Sequence, residues 1–162
     1  MKLRGIFVSV AALGLMAGPA FAHGILVGVA GAAKDCTITG TAADDTLNGT
    51  TRADVICTRA GSDTVNAGEG NDTVRLGQGD DSVNGQDGSD VLKGQADDDF
   101  VNGNDQNDRV YGGQGNDDLF GEPGNDFVKS RDGVSGNDTA NGGFDTDQCV
   151  IDAGDTAIDC EL

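Results

Sequence analysis

Apolar residues between Gly40 and Val150 recur every nine positions, with a carboxylate two places before each. Ten nonads run without a gap from Gly40 to Lys129. Ser130, Arg131 and Asp132 then interrupt, and two further copies follow at 133–141 and 142–150. Position 8 is Leu47, Ile56, Val65, Val74, Val83, Leu92, Val101, Val110, Leu119, Val128, Ala140 and Cys149. Position 6 is aspartate in every copy: Asp45, Asp54, Asp63, Asp72, Asp81, Asp90, Asp99, Asp108, Asp117, Asp126, Asp138 and Asp147. Position 1 is glycine in nine copies and position 4 in seven. Each nonad reads as a six-residue turn and a three-residue strand. Glycines at positions 1, 2 and 4 permit the positive φ of a tight turn. Side chains alternate along a strand, so position 8 points inward while positions 7 and 9 point out. Two nonads make one coil of eighteen residues, and stacked coils bury a continuous apolar column. The pattern predicts an all-β solenoid.

Composition alone would argue for disorder. The 162 residues include 27 glycines, no tryptophan and a net charge of −18, and all but three of the 28 acidic residues are aspartate. Low aromatic content with high charge normally leaves a chain unfolded. Disorder gives no reason to hold a carboxylate column and an apolar column in phase over twelve copies. The acidity excludes nucleic acid as a partner, because phosphates are repelled, and favours cations. The predicted core is thin. One buried Val or Leu contributes roughly 1.5–3 kcal/mol, whereas ordering a backbone costs about 1–2 kcal/mol per residue. Nine residues per core side chain therefore need a further source of stability, and metal binding coupled to folding is the natural one.

The nonad resembles the RTX repeat, G-G-x-G-x-D-x-U-x. The window GGQGNDDLF at 112–120 matches it at every defined position, and the resemblance covers residues 40–150. It implies a right-handed parallel β-roll, or β-helix, that binds several calcium ions. Small exported bacterial proteins of this kind carry cysteines at both ends, as this chain does.

The spacing supports the same chemistry. Residues eighteen apart stack on one edge, so Asp45, Asp63, Asp81, Asp99, Asp117 and Asp138 form one ladder. Asp54, Asp72, Asp90, Asp108, Asp126 and Asp147 form the other. Adjacent strands lie about 4.8 Å apart, where two carboxylates repel by roughly 1 kcal/mol in water and more in a protein. A hard divalent cation between turns removes that repulsion. Calcium accepts six to eight oxygens in flexible geometry, whereas magnesium demands an octahedron and holds its water. Soft ligands for zinc or copper are lacking, and no EF-hand loop with its terminal Glu is present.

Site quality is expected to vary. Position 4 departs from glycine at Ala43, Arg52, Asp97, Gln106 and Asp145, which puts copies 1, 2, 7, 8 and 12 in doubt. Asp63 with Asp81 and Asp72 with Asp90 are the best stacked pairs, followed by Asp81 with Asp99 and Asp108 with Asp126. The insertion at 130–132 is expected to interrupt the step from Asp117 to Asp138. Position-5 residues such as Asp44, Asp80 and Asp98 read as solvated charge.

The N-terminus has the form of a secretory signal: Lys2 and Arg4, an apolar stretch from Ile6 to Met16, Gly18-Pro19 and an Ala20-Phe21-Ala22 cleavage site. Cleavage after Ala22 would leave a secreted chain without stable membrane insertion. The rival reading is an uncleaved anchor over 6–33. The expected layout is a signal peptide at 1–22, a lead-in and cap at 23–39, the solenoid at 40–150 and a C-terminal cap at 151–162. Export suits an even number of cysteines. Of three pairings, Cys36–Cys57 and Cys149–Cys160 are favoured because each closes one end of the array.

An enzyme is not expected. His23 stands alone, and neither an H-E-x-x-H helix nor a G-x-S-x-G elbow occurs. The alternative function is an extracellular structural or adhesive scaffold in which calcium is only a staple. Phe100, Tyr111, Phe120 and Phe127 could line its binding face, although packing at the edge of the roll is the simpler reading. An ice-binding face would want a repeated Thr column in the turns, which position 3 does not supply. Protein or glycan partners are not legible.

Overall fold

The computed structural model describes residues 36–134 and 136–161. The expected signal peptide, His23 and most of the lead-in lie outside the described residues. Fourteen strands follow in chain order: β1 (Ile38–Thr39), β2 (Thr46–Asn48), β3 (Val55–Ala60), β4 (Thr64–Glu69), β5 (Thr73–Gln78), β6 (Ser82–Asp87) and β7 (Val91–Ala96). They continue as β8 (Phe100–Asp105), β9 (Arg109–Gln114), β10 (Asp118–Pro123), β11 (Phe127–Lys129), β12 (Thr139–Phe144), β13 (Gln148–Val150) and β14 (Thr156–Ile158). Odd strands form one seven-stranded sheet and even strands another, each in coil order. Pairing is parallel with an eighteen-residue register, as in Val65↔Val83 and Val83↔Val101. The result is a β-solenoid of about seven turns. The described residues contain no helix, so none there is long and apolar enough to cross a membrane.

Position 8 forms the core. Ile56, Val65, Val74, Val83, Leu92, Val101, Val110, Leu119 and Val128 are at most 1% exposed. Leu47 and Ile38 pack against them at the N-terminal end.

Strands are longer than the expected three residues. Most span six, taking in positions 7–9 of one copy and 1–3 of the next. Main-chain pairing continues past position 9, as in Gly68↔Gln86 and Glu69↔Asp87, so the turn shrinks to positions 4–6. Alternation then aims position 1 inward beside position 8. Thr58, Ala67 and Leu76 occupy that second column and are buried. Ser130, which follows β11, is buried in the same column, and most of the remaining copies have glycine there, for a reason found in the carboxylate ladders.

Both flanks continue the solenoid as partial copies. Ile38 pairs with Ile56, which puts Cys36 where an aspartate stands in the other copies. At the far end Thr156 pairs with Thr139, which gives Asp155 the same place. The expected disulfides are present: Cys36–Cys57 with Cα atoms 6.0 Å apart and Cys149–Cys160 at 5.7 Å.

The insertion at 130–132 does not break the stack. It shifts the register from eighteen to twenty-one residues, as in Leu119↔Ala140 and Val128↔Cys149. The extra residues are held by the tail: Arg131 pairs with Asp152 at 3.3 Å, and the Asp132 N–H donates to Asp152 at 3.1 Å.

Candidate metal centre

The turns bring the position-6 aspartates into two ladders, one along each edge of the solenoid. From copy 3 onward each is at most 4% exposed. Within a ladder, the N–H of each aspartate donates to Oδ1 of the aspartate one coil later. In the first ladder Asp45→Asp63 and Asp63→Asp81 are 2.7 Å, Asp81→Asp99 3.1 Å, Asp99→Asp117 3.0 Å and Asp117→Asp138 2.9 Å. In the second, Asp54→Asp72, Asp72→Asp90 and Asp108→Asp126 are 2.7 Å, and Asp90→Asp108 and Asp126→Asp147 are 2.8 Å. The expected break between Asp117 and Asp138 is therefore absent. Past Asp147, Glu161 closes the second ladder by accepting its N–H. Asp155 closes the first, accepting the N–H groups of Asp152 and Gly136 at 2.8 and 2.9 Å. Although burial pushes its pKa up, these and neighbouring donors outweigh it and hold the carboxyl below its ordinary value.

The second carboxylate oxygen divides the copies. In Asp63, Asp72, Asp81, Asp90, Asp99, Asp108, Asp117, Asp126, Asp138 and Asp147, Oδ2 is buried without a hydrogen-bond partner. A buried carboxylate oxygen without a donor is costly and calls for a cation or a proton. In copies 6–10 and 12 it folds back over the glycine at position 1 of its own copy. A Cβ on Gly94 would lie 2.2 Å from Asp99 Oδ2, and one on Gly103 would lie 2.3 Å from Asp108 Oδ2. In copies 6–10 and 12 glycine stands at position 1 where the carboxylate occupies that space, whereas Asp63, Asp72 and Asp81 keep the same oxygen partnerless beside Thr58, Ala67 and Leu76.

In copies 1 and 2 a threonine at position 2 supplies the missing donors. Asp45 Oδ2 accepts from Thr41 N at 2.6 Å and Oγ1 at 2.9 Å. Asp54 Oδ2 accepts from Thr50 N at 2.9 Å and Oγ1 at 2.8 Å. Copies 7, 8 and 12 differ from these, although position 4 lacks glycine there too. Asp97, Gln106 and Asp145 take φ of 74°, 81° and 82°, so the left-handed turn persists.

Burial is the main influence on nine of the ladder carboxyls. It drives Asp99 and Asp108 up to about 8, opposed by the N–H of the preceding coil and reinforced by neighbouring carboxylates. Asp81, Asp90, Asp117 and Asp126 rise to about 6 for the same reasons. Asp72, Asp138 and Asp147 shift in the same direction.

Position 5 does more than the expected solvated charge. Asp44 accepts Ser62 N at 2.9 Å, and Asp98 accepts Asn116 N at 2.7 Å. These exposed side chains add a second rung between coils. Asn71 and Asn107 do the same for Ser89 and Asn125, so an Asp or Asn at position 5 serves through its acceptor oxygen, although Ala53, Ser62, Ser89 and Thr146 also stand in the column.

Among the described residues no three His, Cys, Asp or Glu side chains cluster as a ready-made metal site. The available donors are hard oxygens: ladder carboxylates and the carbonyls of the turns between them. A parallel β-solenoid with buried carboxylate ladders at its turns falls in the class that binds cations between coils. The RTX calcium-binding nonapeptide repeat matches the chain in four copies, over residues 39–74, 58–92, 75–109 and 93–128. The matches span more than half of the chain, and the chain belongs to that family. Searches of curated proteins and of solved structures returned no match.

Proposed function

We propose that this chain is an exported calcium-binding solenoid whose folding is completed by the metal, and that ten aspartates carry the function. These are Asp63, Asp72, Asp81, Asp90, Asp99, Asp108, Asp117, Asp126, Asp138 and Asp147. The observation that supports this is the partnerless Oδ2 buried in each. Asp45 and Asp54 stand apart, because Thr41 and Thr50 already saturate the same oxygen. Calcium supplies positive charge between neighbouring turns, where carboxylates and carbonyl oxygens can surround it. The chain prepares for this in three ways. Backbone N–H groups hold Oδ1 and so orient each carboxylate. In copies 6–10 and 12 glycine at position 1 makes room for Oδ2. Left-handed residues at position 4 keep the turn in shape even where glycine is lost.

Coupling of folding to metal follows from electrostatics. Without a cation the ladders either stay charged in a poorly solvated edge or take up protons, and both oppose folding at neutral pH. Export is supported by the N-terminal segment, with cleavage after Ala22, and by disulfides at both ends of the array. No residue set for catalysis is proposed. The scaffold reading is favoured by the disulfide-closed ends, which would stabilise a solenoid with or without ions.

Far-UV circular dichroism during a calcium titration, with magnesium as control, tests the proposal. A coil-like spectrum that turns to β with calcium but not with magnesium is expected. A β spectrum indifferent to calcium and to chelator would overturn the coupling and leave the scaffold.

A further inference from the structure

The two sheets carry opposite charge. Strands of the odd sheet hold five bases and no acid: Arg59, Arg75, Lys93, Arg109 and Lys129. Strands of the even sheet hold five acids and no base: Glu69, Asp87, Asp105, Asp118 and Glu122. None of the five bases pairs with a carboxylate, since Arg131–Asp152 is the one ion pair among the described residues. Strand register places like charges side by side on each sheet. Arg75 lies beside Lys93, and Lys93 leans over Tyr111 with Nζ 5.6 Å from the ring centroid. Glu69 lies beside Asp87, and Asp87 beside Asp105, all exposed.

Aromatic pairs follow these columns at the same level of the solenoid. Phe100 and Phe120 meet across β8 and β10 with ring centroids 5.2 Å apart. Tyr111 and Phe127 meet across β9 and β11 at 5.8 Å.

From this we infer that the odd sheet of one molecule docks on the even sheet of a second copy, in parallel and in register. Such stacking sets Arg75 and Lys93 against Glu69 and Asp87, and one aromatic pair against the other. Each like-charge column opposes its own fold, and a second copy relieves both at once. An anionic polymer would relieve only the basic one. The two sheets share the strand spacing of roughly 4.8 Å, so the columns match rung for rung. The contact is heterologous and does not close, so it extends into stacks rather than dimers. A face seven strands high and six residues wide covers roughly 600–700 Å². The pair therefore sits at the small end of specific interfaces, and association is weak and salt-sensitive.

Sedimentation velocity on the purified chain in calcium, at low and high salt, tests this. One variant carries Arg75→Glu, Lys93→Glu and Lys129→Glu; the other carries Glu69→Lys, Asp87→Lys and Asp105→Lys. The wild type is expected to associate reversibly at low salt. Each variant alone should need roughly tenfold more protein to associate, and an equal mixture of the two should associate again. Association untouched by salt or by either variant would overturn the proposal. So would a wild type that stays monomeric, whether or not its basic sheet retains a polyanion such as dextran sulfate. Circular dichroism on the same samples separates the two readings: a β-form monomer overturns the stacking and leaves calcium binding intact.

Discussion

Replacing Asp108 with Asn should stabilise the calcium-free chain and weaken the calcium-bound one. Asp108 sits mid-ladder at 2% exposure. Its Oδ1 accepts the Asp90 N–H at 2.8 Å, and its own N–H donates to Asp126 at 2.7 Å. Asparagine keeps both bonds, while the partnerless Oδ2 becomes an uncharged amide. Burial has already driven this carboxyl to about 8, so the folded site resists the charged form. An unsatisfied buried group costs ~1–3 kcal/mol, and solvent screening at the turn edge places the gain near the lower end. In calcium the sign reverses. Losing one charged ligand should weaken the adjoining sites by about tenfold or more, or ~1.4 kcal/mol. Asp54→Asn is the control. Thr50 donates to its Oδ2 twice, at 2.9 and 2.8 Å, so the loss of charge-assisted bonds costs about 1 kcal/mol with or without calcium. Urea unfolding and calcium titration, both read by circular dichroism, measure the two signs. A lower calcium-free stability for the Asp108 variant, or an unchanged calcium midpoint, would refute the reasoning.

Without calcium the fold should favour acid. Asp99 and Asp108 titrate near 8 in the folded chain, against an ordinary 3.8. The folded state therefore holds more protons between those values, and stability present below about 4 is lost as pH rises toward 8. Circular dichroism in chelator across that window should show β content falling, and calcium should abolish the fall. Gln106→Gly should raise stability by about 1 kcal/mol in a thermal melt, because φ at 81° strains a side chain and not glycine. Gly103→Ala should do the reverse and lower calcium affinity in a titration, since its Cβ would lie 2.3 Å from Asp108 Oδ2 and 2.9 Å from the Gly121 carbonyl. Replacing Cys149 and Cys160 together with serine should cost roughly 3 kcal/mol, seen as early melting of the last coil by hydrogen exchange.

A nine-residue period is visible along the chain because it is one-dimensional. Aspartate at position 6 and an apolar residue at position 8 foretold the ladders, the core column and the eighteen-residue coil. Local cysteine pairing followed from where the array begins and ends. Less visible was position 1. Its inward direction carries no side-chain signal where the residue is glycine, and three copies with Leu76, Ala67 and Thr58 are too few to mark a second core column. Segregation of charge between the sheets was within reach. It appears when the chain is sorted by eighteen rather than nine, because alternate copies fall in different sheets.

The repeat, the parallel stacking it implies and the chemistry of the carboxylate column can all be read from the chain in one dimension. Those depend on residue type at a fixed spacing. Which oxygens are satisfied emerges from the folded chain alone. Thr41 and Thr50 resemble ordinary turn residues until the fold sets their hydroxyls against Asp45 and Asp54. Asp97, Gln106 and Asp145 resemble broken turns until neighbouring coils hold them in the left-handed conformation. The threonine contacts lie within one turn, four residues apart, but burial and the Oδ1 bonds belong to the space between coils, where residues eighteen or twenty-one apart in the chain become neighbours.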